Sequence, residues 1–357
     1  MKLRSVLYIF GLIVIAFTLF PLIPASHWSI RAFDFPQLQI TGLTLLALIL
    51  FFLRFDISKK KDIVFVAALG ACFIYQGTRI FPYTPLAAFE TLPSSKNDAP
   101  SLRIYTANVL QKNSDYSTLI DQINALKPDL VVLTETNKVW LEKVQPHVTE
   151  YLYREEIPMD NTYGMLLYSK KKLIDSSVKF LIEDTIPSIH TKLLITPQDT
   201  IQLYAIHPAP PLPFHNPLSV DRDAEMMKVA KLANKSPLPV ITLGDFNDVA
   251  WSETTELFQE VSGLLDMRIG RGLYNTYDAD NFLFRWPLDH IFTSASFRAK
   301  KMSREEHIGS DHFPLYVELT YEPEAKATQE KKRPTKKETE QAQEQLKEEN
   351  KADQQGN

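Results

Sequence analysis

Ser5 to Pro24 contains no charged residue, and an apolar run of 20 residues is what an α-helix needs to cross the hydrocarbon core of a bilayer. Phe35 to Leu53 repeats the pattern, and Ile63 to Thr78 forms a third, shorter run that ends at Arg79. Ile80, Phe81 and Tyr83 can extend it into the interface while Arg79 snorkels. The expected spans are about 5–24, 35–53 and 63–83, the third being the weakest. A cleaved signal peptide is the rival reading of the first run. That run is long for one, lacks a small-x-small cleavage site and is followed by further apolar runs. All three are apolar on every face, unlike core helices of a water-soluble protein.

Basic residues set the expected orientation. Lys2 and Arg4 precede the first span, and Arg54, Lys59, Lys60 and Lys61 lie between the second and third, whereas the first loop offers Arg31 against Asp34. The positive-inside rule then puts the N-terminus and the second loop in the cytoplasm. Three spans bring the chain out on the extracytoplasmic side of the cell membrane. Should the third fail to cross, the rest of the chain stays inside.

The expected organisation is a three-helix transmembrane anchor over 1–84, a proline- and serine-rich linker over 85–100, a globular domain over 101–322 and a charged tail over 323–357, disordered and solvated or at most weakly helical. Cys72 is the single cysteine and lies in an apolar run, so the fold has neither a disulfide nor a cysteine metal site within the chain. Residues 101–322 carry 22 Lys and Arg against 30 Asp and Glu, the opposite of a basic phosphate-backbone footprint. Strand composition marks 102–107, 130–134, 164–168, 201–206, 240–243, 289–293 and 315–319, with amphipathic helices over 117–126 and 220–233. Strands and helices interspersed without strict alternation imply an α/β fold with mixed sheets. No internal repeat is visible.

Polar residues suited to metal or phosphate recur where these strands stop. Asn108 ends LRIYTANV, Glu135 ends PDLVVLTET and His207 ends YAIH; Asp245 and Asn247 follow PVITLG, Asp289 opens DHIF, and Asp311 and His312 sit in SDHFPL. Phosphoester hydrolysis needs a hard cation on the phosphate oxygens and an activated water. Oxygen donors such as Glu135, Asp311 and the Asn108 amide suit Mg²⁺ or Mn²⁺ better than zinc.

Taken in order, these motifs resemble the endonuclease/exonuclease/phosphatase superfamily of DNase I-like nucleases, inositol polyphosphate 5-phosphatases and neutral sphingomyelinases. The resemblance implies a four-layer sandwich, two mixed β-sheets face to face with helices outside. It also implies Asn108, Glu135 and Asp311 as metal ligands. His312 then contacts the scissile phosphate and helps activate water with Asp289 orienting its imidazole, Asp245 is the other candidate to position or deprotonate water, Asn247 binds a phosphate oxygen and His207 stabilises or protonates the phosphate side of the transition state. His290 alternates to the opposite strand face from Asp289 and reads as structural. His215 reads as a loop residue, and His147, His190 and His307 have no motif around them.

HPAPPLPFHNP, GLLDMRIGRGLYNTY and RWPLDHIF, behind several membrane spans, are similar to a branch of bacterial membrane-bound members that includes the teicoplanin-resistance protein VanJ. That resemblance implies a phospholipid or lipid-linked phosphate or pyrophosphate as substrate at the outer membrane face. A membrane-tethered nuclease acting on nucleic acid is the alternative, and the acidic balance argues against it. NTYDADNFLFRWPLDH is longer than the usual spacing at this point, so the loop over the site is expected to differ.

Overall fold

The computed structural model describes residues 3–96, 98–214, 216–331 and 333–356. Lys2 and His215, used above, lie outside them. The chain divides into two compact units, Met1–Ala88 with Pro211–Ser219, and Phe89–Pro210 with Val220–Asn357.

The first unit is helical: α1 (Leu3–Leu19), the single turn α2 (Trp28–Arg31), α3 (Gln37–Phe52) and α4 (Lys60–Ile80). Ala47, Phe51, Phe65 and Leu69 pack α3 against α4, and a buried Gln76 amide donates to Thr18 Oγ1 at 2.6 Å. Leu12, Ile49 and Ile74 point outward on α1, α3 and α4, each about half exposed or more. Leu3–Leu22 and Lys60–Tyr83 are long and apolar enough to cross a membrane, and each is less than a third buried. The short member is Gln37–Phe52, not the third run as the sequence suggested. Pro211–Ser219 returns to this unit, where Trp28 N–H donates to Pro217 O at 2.7 Å and Ser219 N–H to Ser26 O at 2.8 Å.

The second unit begins with β1 (Ser101–Asn108), α5 (Tyr116–Leu126), β2 (Leu130–Thr134), α6 (Lys138–Val144), β3 (Tyr153–Ile157), β4 (Met165–Ser169), β5 (Leu173–Phe180) and β6 (Pro187–Leu194). It continues with β7 (Thr200–Ala205), α7 (Val220–Lys235), β8 (Val240–Asp245), α8 (Glu253–Ser262), β9 (Leu265–Asp266), β10 (Asp289–Thr293), β11 (Phe297–Arg304), β12 (Leu315–Tyr321) and α9 (Lys336–Gly356). Two six-stranded sheets form, in the orders β11-β12-β1-β2-β4-β3 and β5-β6-β7-β8-β10-β9. In each, one parallel pair, β1 with β2 or β7 with β8, is flanked by antiparallel neighbours. The two sheets thus share one connectivity, a duplication of topology that left no visible repeat in the sequence.

Strand alternation sorts the side chains into layers. Leu102, Ile104, Leu130 and Val132 of the first sheet meet Ile201, Leu203, Ile241 and Leu243 of the second in one core. The opposite faces pack Tyr105, Val131 and Leu133 under α5 and α6, and Tyr204, Val240 and Phe292 under α7 and α8. The result is the expected arrangement of two mixed sheets between helices.

Two expectations are corrected. The presumed linker is in part a strap: Ser94 N–H donates to Ala299 O and Ala299 N–H to Leu92 O along β11. The tail after Pro334 is not disordered but carries α9, which buries Ala342 and packs Leu346 against the α7–α8 layer.

Glu225 is buried in α7 with Oε1 lacking a hydrogen-bond partner among the described residues. Burial pushes its pKa up to about 8, against the pull of Lys228 and with a further push from Glu183. A carboxyl raised above its ordinary value of 4.5 costs nothing below that pH, and stability is lost as pH climbs from there toward 8. Glu225→Gln should flatten this slope and be more stable than the parent at pH near 8, as checked by denaturation midpoints across the window. Equal slopes would show that Glu225 ionises normally.

Candidate active site

Strand phase delivers the polar residues to one place. Asn108 continues the inward series Leu102, Ile104; His207 continues Ile201, Leu203, Ala205; Asp245 continues Ile241, Leu243; and Asp289 precedes Ile291. Asn108, His207 and Asp245 stand at the carboxyl ends of the parallel strands, and Asp289 pairs with Asp245 in the β8–β10 register. Gly244 makes this close approach possible. Its φ is +136°, and a Cβ there would lie 2.0 Å from Ile206 O.

The side chains form one network. Asn108 Nδ2 donates to Glu135 Oε1 at 2.8 Å and to Asp245 Oδ2 at 2.9 Å. Asp245 Oδ1 accepts the Asn247 N–H at 2.9 Å, and its Oδ2 lies 3.6 Å from His207 Nε2 and 3.7 Å from His312 Nε2. His312 Nδ1 is bonded to Asp289 Oδ2 at 2.7 Å. Ser310 Oγ donates to Asn108 O and accepts the His312 N–H, joining the last loop to β1. Asn108, His207, Asp245, Asp289 and His312 are buried, while Glu135, Asn247 and Asp311 stand at the rim.

Two rim residues adopt left-handed backbone, Glu135 at φ 58° and Asn247 at φ 51°. Asn tolerates that region; for Glu135 it is a strain held by the surrounding structure, including the Gln111 N–H that donates to Oε2 at 3.3 Å. The Asn247 amide donates to Pro208 O at 3.0 Å, so one of its two N–H groups is already committed.

The electrostatics are those of a carboxylate cluster. Burial opposes charge on His312, yet Asp289 and then Asp245 outweigh it and raise the imidazole to about 10. Asp311 is raised by burial and by the like charges of Glu135 and Asp245, with His312 acting the other way. Burial pushes Tyr163 up to about 12, and nearby carboxylates including Glu135 and Asp245 add to the rise.

Two groupings can be weighed as cation sites. Ligand atoms of Asp245, Asp289 and His312 lie within 4.8 Å of one another. Their charges are already matched by the His312–Asp289 bond, and they are buried. Glu135 is half-buried and opens on a cavity of about 470 Å³ lined also by Leu110, Gln111, Lys112, Asn137 and Thr162, and its charge is one of those that raise the Asp311 carboxyl. Oxygen donors that repel one another fit a hard divalent cation.

All eight sequence-predicted residues are brought to this one edge of the sandwich. His290 turns away, as expected, with Nε2 bonded to Asp248 O at 2.8 Å. Sequence reasoning missed the layer beneath. Buried Arg268 bonds Asp266, the Asp289 carbonyl at 3.2 Å and His290, and buried Arg222 bonds Asp223 and the Asn247 carbonyl at 3.0 Å. An arginine on a helix or in a loop reads as solvated, and only paired carboxylates at these positions could have hinted otherwise. Tyr277, whose ring lies 5.0 Å from that of His312, was also missed.

A family model described as Endonuclease/Exonuclease/phosphatase family matches residues 105–312. Among solved structures, D. rerio TDP2 complexed with a single-strand DNA product is 17% identical with a TM-score of 0.51, over 62% of this chain and 99% of that one. The human Nocturnin catalytic domain with bound sulfate is 17% identical with a TM-score of 0.51, over 67% and 99%. A conserved Enterococcus faecalis V583 protein of unknown function is 17% identical with a TM-score of 0.50, over 62% and 100%. At that identity the likeness is one of fold. No curated protein matches the sequence.

The His312–Asp289 bond predicts a spectroscopic outcome. In the metal-free protein His312 should remain imidazolium through neutral pH, and Asp289→Asn should lower its titration clearly, read from ¹⁵N chemical shifts of the ring. A His312 ring that titrates near its ordinary value in both proteins would show that the carboxylate does not hold the charge.

Proposed function

The chain belongs to the endonuclease/exonuclease/phosphatase family, and from that premise we propose a membrane-anchored, Mg²⁺-dependent enzyme that cleaves a phosphoester or pyrophosphate bond in a lipid-linked substrate at the outer membrane face. That it is a metal-dependent phosphoric ester hydrolase follows from the family. The observation that carries the chemistry is the convergence of Asp245 on two histidines, one of them fixed by Asp289.

Glu135 would hold the cation, with Asn108 and Asp311 beside it; Mn²⁺ is the other candidate. Bound there, the ion supplies neutralisation of the phosphate oxygens and of the leaving group. The rest falls to the chain's own groups. Asp289 keeps the His312 Nδ1 proton engaged, so Nε2–H is presented to a phosphoryl oxygen. Asn247 N–H and Asn108 Nδ2 hold both Asp245 oxygens, aiming the carboxylate at a water to be deprotonated. His207, on the other side of Asp245, meets the charge that grows on phosphorus oxygens, and the remaining Asn247 N–H is free to add a hydrogen bond.

Membrane anchoring is supported by the mostly exposed apolar faces of the helices, since core helices of a soluble protein bury theirs. The side is supported by the bonds of Ser26 and Trp28 to Ser219 and Pro217. These residues must share one side of the bilayer, and with a cytoplasmic N-terminus α1 places them outside.

The test is a panel of undecaprenyl phosphates, sphingomyelin, phosphoinositides and DNA, given to the purified full-length protein with Mg²⁺. Release from the undecaprenyl compounds is expected; turnover of DNA at a comparable rate would favour the tethered nuclease. A reporter fused after residue 90 should be active only outside the cytoplasm. Glu135→Gln should lose roughly 10²-fold or more in activity, in keeping with loss of a cation's charge stabilisation. Excess Mg²⁺ should recover part of it, and parental turnover at ordinary Mg²⁺ would remove Glu135 from the site.

A further inference from the structure

The long insertion before Asp289 is an ordered hairpin with an apolar end. Tyr277 and Trp286 exchange backbone hydrogen bonds in both directions, and Asp278 N–H donates to Phe284 O at 3.3 Å. The turn is built by Asn281, whose Oδ1 accepts the Leu283 and Phe284 N–H groups at 3.0 and 3.1 Å. It presents Phe282, Leu283 and Phe284 at 84%, 67% and 50% exposure. Three successive large apolar side chains held out by a well-bonded turn are costly in water and mark an interaction surface.

At the base of this tip stand two arginines. Arg285 and Arg304 lie over the Phe313 ring, 4.8 and 4.3 Å from its centroid. Their hydrogen bonds go to the carbonyls of Asp278, Ala279 and Asn275, and no carboxylate ion-pairs with either among the described residues. Burial lowers the Arg304 pKa and the like charge of Arg285 adds to that. The two tip carboxylates are engaged, Asp278 by the Asp280 N–H and Asp280 beside His307 at 3.5 Å. The hairpin is also coupled to the catalytic loop, since Ala279 N–H donates to Asp311 O at 2.7 Å and Phe313 N–H to Thr276 O at 2.9 Å.

We propose that the Phe282–Phe284 tip inserts into a lipid bilayer surface, with Arg285 and Arg304 meeting lipid phosphates. The inference rests on the membrane-anchored reading above. Aromatic side chains over neighbouring guanidiniums are what the headgroup region accommodates. Only eleven residues, Phe81 to Thr91, separate the end of α4 from the strap on β11. Fully extended they reach about 40 Å, which limits how far the strap can stand from the end of α4. Insertion would hold Asp311 and His312 at the headgroup level, where the phosphate of a lipid substrate lies.

The experiment uses full-length protein with Cys72→Ser, reconstituted in phosphatidylcholine vesicles with and without phosphatidylglycerol. Single nitroxides are placed by Phe282→Cys, by Leu12→Cys on the exposed face of α1, and by Glu142→Cys as an aqueous reference. Power saturation by oxygen against a nickel chelate should give the 282 label a lipid signature, stronger with phosphatidylglycerol. A 282 label that behaves like the 142 label while the 12 label reports lipid overturns the proposal and leaves anchoring standing. If the 12 label itself is aqueous, the anchored reading falls and the insertion with it. Protection of the 282 label from both reagents would mean a protein covers the tip, which also overturns the proposal. In parallel, Phe282→Ser with Phe284→Ser should raise KM for a vesicle-embedded substrate at least about tenfold, the loss expected from one or two buried aromatic side chains. Hydrolysis of soluble bis(p-nitrophenyl) phosphate should be unchanged. An equal loss on both substrates would assign the tip to the active site and not to the bilayer.

Discussion

A parallel strand pair forces both strands to end at the same edge, and this chain uses that constraint twice. β1 with β2 brings Asn108 and Glu135 together, and β7 with β8 brings His207 and Asp245 together. Because the sheets pack face to face, the two edges meet, and the side chains in phase with the apolar core become polar where that core ends. β10, paired with β8, then adds Asp289, and the loop after Gly309 adds His312. The site is therefore a property of register: a one-residue slip of β8 would turn Asp245 outward and leave Leu243 facing the helices.

Concentrating ionisable groups at the end of an apolar core is costly unless each charge is matched. The matching is done from behind. Arg268 ties the Asp289 carbonyl to the buried Asp266 carboxylate, and Arg222 ties the Asn247 carbonyl to Asp223. These arginines do not face the site; they fix the backbone from which Asp289 and Asn247 project. In front of them Asp311 is raised first by burial, and the like charges of Glu135 and Asp245 add to the rise against the pull of His312. A fold that neutralises its rear charges and leaves its front ones repelling is arranged for a cation at the front.

What the sequence made legible follows from burial. β2 and β10 matched their apolar runs residue for residue, and the other central strands did so within a residue or two, because a strand covered on both faces has little freedom in composition. The edges β3, β5, β9 and β11 were missed. YREEI and FRAKKMSR carry the charges that keep an edge from pairing with another chain, so their alternation is broken by design. β6 was missed as well, opening on Pro187 and carrying His190 and Lys192. The tail looked soluble because its apolar content is one alanine and one leucine over the stretch that docks; both are used, and long-range packing is invisible to composition. The eight candidate residues, which the fold brings to one edge, stood out in the sequence because they lie at or just beyond the ends of apolar runs. Arg222 and Arg268 did not stand out: their carboxylates, Asp223 and Asp266, are near in sequence, but the Asn247 and Asp289 carbonyls they hold are not.

The membrane reading gains a constraint that hydropathy lacks. Residues 26–28 and 217–219 are bonded within one unit, so on the proposed anchored reading the chain between them would cross a bilayer an even number of times. α3 and α4 then cross together or not at all. Lys60–Tyr83 is long and apolar enough to cross, and on that reading Gln37–Phe52, a shorter apolar helix, would have to cross with it. Sixteen helical residues reach about 24 Å, short of a hydrocarbon core of roughly 30 Å, a mismatch that local thinning and the flanking Phe35 and Leu53 can absorb. From the sequence alone, the compartment of the catalytic unit hung on whether the third run crosses. With parity imposed it does not: if both helices fail, residues 217–219 still lie wherever α1 delivers residue 26. On the proposed anchored reading, sidedness would thus reduce to the first apolar run and the charges of Arg4 and its neighbours before it.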